Sequence, residues 1–376
     1  MAKRVYIGAG GVARKVRRCY IGVGSVARRV KRGYIGVGGV ARPFWSGGEV
    51  AYYGAYTLSV ARDNPAGTSN STHAIFAGGA DGSTKLNVVD AINTSLTRTT
   101  ITALSDSKSN PSAVTIGNYM LVAGGKTSSS YSDKADAYDT SLTKKTATAL
   151  SAARDASGYG KVGGYALIAG GSNGSNPYMT NVDVYDQNLT RTNGTALSEG
   201  RYSLDGISFG KYALILGGAT SSGSTGTVDV YNESLTRTTA ASLSEARNAG
   251  GSVSIDNKYA LFAGGRNGTP VKSVVDVYNS DLTRTTCDPL SVARVFMGAA
   301  PLEGYAVIGG GKNQSGTWYS NVDIYDSDLI HTVGTSLSVE RSGLNRGTTS
   351  LNHFALFPGG ENSGGRKNTV DVYMLA

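Results

Sequence analysis

The feature that most constrains this chain is a single unit written seven times. A pair of glycines after an apolar run recurs at Gly78–Gly79, Gly124–Gly125, Gly170–Gly171, Gly217–Gly218, Gly264–Gly265, Gly310–Gly311 and Gly359–Gly360. The successive spacings are 46, 46, 47, 47, 46 and 49 residues. A V-D-V-Y element follows each pair, centred on Asp90, Asp136, Asp183, Asp229, Asp276, Asp323 and Asp371. An L-T-R-T element comes next at Leu96, Leu189, Leu235 and Leu282, with weaker versions at Leu142 and Leu329. An L-S-x-x-R element closes the unit at Arg62, Arg154, Arg201, Arg247, Arg294 and Arg341, with Lys108 in the remaining slot. A repeat of this length cannot bury its apolar face alone, so the copies must cover one another.

Each unit reads as four short strands. The second, such as Tyr259 to Ala263, is continuously apolar, as a strand covered on both faces should be. The third, Val275 to Tyr278, alternates, and the fourth, Leu282 to Thr286, is a Thr- and Arg-rich strand suited to a solvated edge. Polarity thus rises from the second strand to the fourth, as in β-propeller blades running from axis to rim. No apolar period of 3.6 residues supports an α-solenoid. The last copy stops at Val370-Asp-Val-Tyr373, while Val50 to Leu58 supplies an extra strand ahead of the first. The expectation is an all-β, seven-bladed β-propeller over residues 49–376, its ring closed by an N-terminal strand that removes the open edges.

The apolar strand, double glycine, spacer and V-x-V-Y-D pattern resembles the kelch repeat over residues 49–376, with Tyr185-Asp186 and Tyr325-Asp326 matching its Tyr-Asp. Where kelch repeats carry a Trp beyond that Tyr, this chain has Thr and Arg. The resemblance implies the architecture and leaves the function open. Some kelch-type propellers are copper-dependent sugar oxidases, and others act on sialic acids. The oxidase pattern needs two His and a Tyr cross-linked to a Cys near the axis, whereas Cys287 falls in a rim strand and Cys19 far upstream. His73 stands in the slot of Tyr119, Tyr165, Tyr212, Tyr259 and Tyr305, His331 in an Arg slot, and His353 beside Phe354. None belongs to a metal-ligand cluster. No cofactor, metal or catalytic residue is expected, and the chain reads as a non-enzyme.

Catalytic groups need not recur with the period of a fold, so the seven Asp and six Arg read as structural partners that fix each blade. Binding residues are sought instead where copies differ. The segments after the double glycines vary, and carry Tyr131, Tyr178, Trp318 and Tyr319 among Ser, Asn and Gly. Aromatic faces with nearby hydroxyls and amides suit a glycan or a protein partner. The bland alternative is solvated loops with occasional aromatics.

Charge is distributed unevenly. Residues 1–48 hold eleven of the 36 Lys and Arg and none of the 27 acids, leaving 25 against 27 in the rest of a chain of net charge +9. This basic leader has its own fourteen-residue repeat: Tyr6 to Arg14, Tyr20 to Arg28 and Tyr34 to Arg42. Its glycines argue against helix. Gly10–Gly11, Gly24–Ser25 and Gly38–Gly39 suit two-residue hairpin turns, which would leave twelve-residue strands Val12 to Val23 and Val26 to Val37 between them. Such a ribbon has too little core to stand alone and should need a partner. It also lacks the apolar stretch of a signal peptide, and no run of eighteen apolar residues in the chain would span a membrane.

The leader resembles the basic Y-I-G-V-G-G-V-A-R repeats that precede variable domains in structural proteins of tailed bacteriophages, over residues 6–45. That resemblance implies a virion protein present in many copies. Its leader would dock onto other virion proteins through Tyr6, Arg14, Tyr20, Arg28, Tyr34 and Arg42. The propeller loops would then meet a host-surface glycan. The alternative is a bacterial kelch-like interaction protein whose leader binds nucleic acid or an acidic partner.

Overall fold

The computed structural model describes residues 48–376 throughout and, before them, the backbone of six strands between residues 6 and 46. Two compact units result, residues 1–51 with 374–376, and residues 52–373.

In the larger unit, four-stranded antiparallel sheets repeat seven times. Blade III shows the pattern from axis to rim: Gly158–Val162, Tyr165–Ala169, Val182–Tyr185 and Arg191–Asn193. The innermost strands, Ala66–Ser69, Ser112–Ile116, Gly158–Val162, Asp205–Phe209, Gly251–Ile255, Gly298–Leu302 and Thr349–Leu351, touch in succession, and the last touches the first. The ring is a closed seven-bladed propeller. Blade VII takes three strands from the end of the chain and its outermost, Val50–Thr57, from near the beginning. Tyr52 Oη donates to Asp371 Oδ1 at 2.9 Å, and the Tyr52 and Tyr373 rings meet edge-on at 5.5 Å. The expected closure is therefore present.

The second strands are buried almost completely because neighbouring blades cover both of their faces; Ala166, Leu167, Ile168 and Ala169 are each 0% exposed. A polar frame runs through this apolar stack. Asp183 accepts from Arg154 Nη2 at 2.6 Å, Arg191 Nη1 at 2.7 Å and the Ser151 amide at 3.1 Å, tying an inter-blade connection, a third strand and a rim strand together. The same pattern recurs at Asp90, Asp229, Asp276 and Asp323, with His331 replacing the rim Arg at Asp323, 2.6 Å away. The Tyr of V-D-V-Y stitches blades laterally: Tyr185 donates to Thr148 O at 2.7 Å and Tyr278 to Ala241 O at 2.7 Å. Burial, reinforced by the nearby Asp, pushes these phenols upward, so they remain donors. The repeated Asp and Arg are structural, as expected.

The double glycine is a blade corner. Gly124 and Gly125 have φ of 69° and 111°, and a Cβ on them would lie 2.7 Å from Arg154 O and 2.9 Å from Ser109 O. One local expectation is corrected. Leu282 does not begin the rim strand, which runs Arg284–Cys287. It closes a tight turn at φ 62°, its amide bonded to Asn279 O, while Asn279 Oδ1 accepts from the amides of Asp281 and Thr283. An Asx turn followed by a left-handed residue ordinarily selects Gly.

The described part of the leader consists of three antiparallel strand pairs. Tyr6–Ala9 pairs with Val12–Lys15, Cys19–Val23 with Val26–Val30, and Arg32–Val37 with Val40–Ser46. Arg14, Arg28 and Arg42 stand opposite Ile7, Ile21 and Ile35, while Tyr6, Tyr20 and Tyr34 stand opposite Lys15, Arg29 and Pro43. The turn residues Gly10–Gly11, Gly24–Ser25 and Gly38–Gly39 lie outside the described residues, as do 16–18 and 31, so the expected twelve-residue strands are described only in part.

Candidate binding site at the mouth of the channel

On one face of the ring, each inter-blade connection is pinned to the residue after its double glycine. The seven bridges are Asp63–Ala80, Ser109–Lys126, Asp155–Ser172, Tyr202–Ala219, Asn248–Arg266, Val295–Lys312 and Ser342–Glu361. The residue that follows each first partner has positive φ: Asn64 (48°), Asn110 (52°), Ala156 (53°), Ser203 (52°), Ala249 (54°), Phe296 (57°) and Gly343 (76°). These amides point around the ring. Asn64 donates to Gly343 O, Asn110 to Asn64 O, Ser203 to Ala156 O, Ala249 to Ser203 O, Phe296 to Ala249 O and Gly343 to Phe296 O. The belt crosses the seam between the last and first copies. Left-handed backbone at Ala or Phe costs roughly 1–2 kcal/mol per residue, a strain that accumulates around functional openings.

Inside the belt lies a cavity of about 360 Å³, lined by Asn64, Asn110, Lys126, Tyr131, Asp155, Tyr202, Asp205, Phe296, Asn345 and Arg346 among others. A second cavity of similar volume occupies the channel beyond it and shares Leu204, Asp205, Asn345 and Arg346. The Leu344 to Thr348 turn of blade VII thus stands between the two. Arg346 is 6% exposed, and its Nη1 donates to Ser157 O across the channel at 3.0 Å. Its carbonyl accepts from the Gly67 amide at 2.8 Å. Asn345 Oδ1 is buried without a hydrogen-bond partner among the described residues. Two carboxylates share this space. Burial lifts Asp205 to about 7 against the pull of Arg346 and a bond from the Gly250 amide, and it also raises Asp155 despite Arg346 and Lys126.

Of the sequence-predicted residues, Tyr131 lines the cavity, with Lys126 Nζ 5.5 Å from its ring centre. Tyr178 stands behind the lining, its ring 5.9 Å from that of Tyr202. Trp318 and Tyr319 are on the same face but do not line the cavity. Trp318 is half-buried with Lys312 Nζ 5.9 Å from its ring, its indole N–H unpartnered, and Tyr319 Oη accepts from Asn313 Nδ2. The structure therefore separates the four aromatics into two groups. Sequence reasoning missed Tyr202, Asp205, Phe296 and Arg346. One signal was available: Arg341 and Gly359 are 18 residues apart, where Arg154 and Gly170 are 16 apart, so blade VII carries additional residues where Arg346 lies.

Two short strings mimic catalytic motifs. Gly170-Gly171-Ser172-Asn173-Gly174 has the form of a nucleophile elbow, and Gly125-Lys126-Thr127 the end of a phosphate loop. Both motifs need a helix to follow, and here both are blade corners followed by strands. Among the described residues no group of three His, Cys, Asp or Glu could hold a metal ion.

Residues 107–145, which span the first three strands of blade II and reach its rim strand, match the family model of the Kelch motif. A solved structure titled "Structure of YjhT" superposes with a TM-score of 0.59 at 13% identity, covering 74% of this chain and 99% of that one. No curated protein matches the sequence. The likeness to YjhT, at that identity, concerns the fold. The body of this chain is a closed seven-bladed β-propeller, and its second blade matches the Kelch motif.

Proposed function

We propose that this chain is a non-enzymatic interaction protein whose propeller binds a partner at the channel mouth and whose leader anchors it in a larger assembly. The observation that carries the reading is the mouth itself. A strictly repeated frame ends there in residues that do not repeat, including Lys126, Tyr131, Tyr202, Phe296 and Arg346, around an open cavity. The kelch match and the propeller support an interaction role.

The assembly we infer is a bacteriophage particle, with the leader docked on other virion proteins and the propeller displayed towards host glycans. Support comes from the three Y-I-G-x-G repeats and from a net basic charge that lies wholly in residues 1–48. Many copies would let weak single contacts act together through avidity. The test is deletion of residues 1–48. Purified particles made with the shortened chain should lack it by mass spectrometry, while the chain itself stays folded. Incorporation at the wild-type level would refute the anchoring role. A leader that instead retains DNA or RNA in a salt-sensitive way would favour the nucleic-acid alternative.

A further inference from the structure

Arg346 is the least expected residue at the mouth. It belongs to no repeated element, it is nine-tenths buried, and among the described residues it forms no ion pair within 4 Å. Among the described residues its guanidinium donates one hydrogen bond, from Nη1 to Ser157 O, and lies 6.0 Å from the Tyr159 ring centre, and Arg346 lines both cavities. A structural arginine in this fold looks different: Arg154 and Arg294 each hold a carboxylate at 2.6 Å. A second cation, Lys126, lines the same cavity, also with no ion pair among the described residues. The same cavity is also lined by Tyr131, Tyr202, Asn64, Asn110, Ser172 and Ser203, and by Asn345, whose Oδ1 has no hydrogen-bond partner among the described residues.

We propose that the mouth cavity binds a small hydroxylated ligand bearing an oxyanion, a sugar acid or a sugar phosphate, with its anionic group on Arg346 and Lys126. This deepens the binding reading above and rests on it. Guanidinium and ammonium donors supply charge-assisted bonds to carboxylate or phosphate oxygens. Hydroxyls on the ligand satisfy the orphaned Asn345 oxygen and the amides, and the Tyr rings cover an apolar sugar face. The volume suits a monosaccharide or disaccharide terminus.

Asp205 adds a pH signature. Arg346 and Arg247, the Gly250 amide, the Ser252 hydroxyl and the Tyr159 phenol face it, with Asp155 in the same cavity. Below about pH 7 it is neutral, and Arg346 is available to the ligand; above that pH its charge competes for Arg346. Affinity should weaken from pH 6 to pH 8, by no more than tenfold per pH unit for one linked proton.

The test is calorimetric titration of the full chain with D-glucuronate, glucose 6-phosphate and neutral glucose. Binding of at least one anionic probe tenfold more tightly than glucose, lost tenfold or more in Arg346→Gln and reduced in Lys126→Gln, is the expected result. The stronger of the two anions identifies carboxylate or phosphate as the preferred source. Because Arg346→Gln could misfold, its melting temperature is compared with that of the wild type, and Lys126→Gln, at an exposed position, provides the second variant. Equal binding of glucose and the anions overturns the oxyanion assignment and leaves glycan binding standing. Absence of binding by both anions overturns the site, whereas glycan-array hits abolished by Trp318→Ala would then keep the broader reading.

Discussion

Replacing Asp90 with Ala isolates what the repeated polar frame contributes. Asp90 is fully buried and accepts from Arg62 Nη2 at 2.8 Å, the Ser59 amide at 3.0 Å, Ser59 Oγ at 2.9 Å, Arg98 Nη1 at 3.1 Å and Thr100 Oγ1 at 2.9 Å. Its loss leaves the Arg62 guanidinium, 0% exposed, with only the carbonyls of Phe76 and Val60 as partners. Breaking a buried pair by removing one member costs about 3–5 kcal/mol, mostly from the charge left behind. Arg98 has a side chain 35% exposed, so its removal should cost only about 0–1 kcal/mol. At about 2.1 cal/mol/K per residue, a unit of this size has an unfolding entropy near 0.7 kcal/mol/K. The expected fall in Tm is then about 4–7 °C for Asp90→Ala and below about 2 °C for Arg98→Ala. The pair Asp90→Ala with Arg62→Met should recover much of the loss, since an apolar replacement removes the stranded charge. Calorimetric melting of the four proteins decides it. If Asp90→Ala melts no lower than Arg98→Ala, the frame is not what stabilises the blades.

Three further outcomes follow from the same geometry. Burial pushes Asp90, Asp136 and Asp323 up, but Arg62, Ser105 and Arg294 respectively lead the interactions that outweigh it and leave all three below the usual carboxylate range. Their stabilisation is full above the unfolded value near 3.9 and is lost as pH falls through the lower folded values, so urea midpoints should drop steeply below about pH 4. Asp205 has the opposite sign. Raised to about 7, it destabilises the fold as pH rises from about 4 towards 7, so Asp205→Asn should raise Tm at pH 8 by about 3–6 °C and leave it nearly unchanged below about pH 4. Tyr278→Phe removes the bond to Ala241 O and should cost about 1 kcal/mol, read as a Tm lower by about 1–2 °C.

Much of the architecture is legible in the sequence because repetition amplifies it. Seven double glycines, seven Asp and six Arg fix the blade count. The missing rim strand after Tyr373 and the extra one at Val50 to Leu58 together indicate closure. What escapes is whatever side-chain chemistry does not announce. Leu282 at φ 62° looks like a strand residue, because its turn is enforced by Asn279 and the strand pairing on either side. The belt of amides at the mouth is made by backbone, so Asn, Ala, Ser and Phe all serve at equivalent positions. Looking for variable aromatics found Tyr131, which lines the cavity, together with Trp318 and Tyr319, which do not. Arg346 was hidden for the opposite reason: a residue outside the period has no copies to draw attention to it, and only the 18-residue interval from Arg341 to Gly359 marks its presence.

Val50–Thr57 completes blade VII, the blade whose inner turn brings Gly343, Asn345 and Arg346 to the mouth. The direct measurement is the thermal unfolding of two shortened chains, one beginning at residue 49 and one at residue 59. The first should unfold in one cooperative transition as a monomer. The second, with the Thr369–Leu375 strand left as an open edge, should lose that transition or associate, and regain it when a peptide of residues 49–58 is added. A chain beginning at residue 59 that melts as a monomer at the same temperature as the longer one would contradict the account.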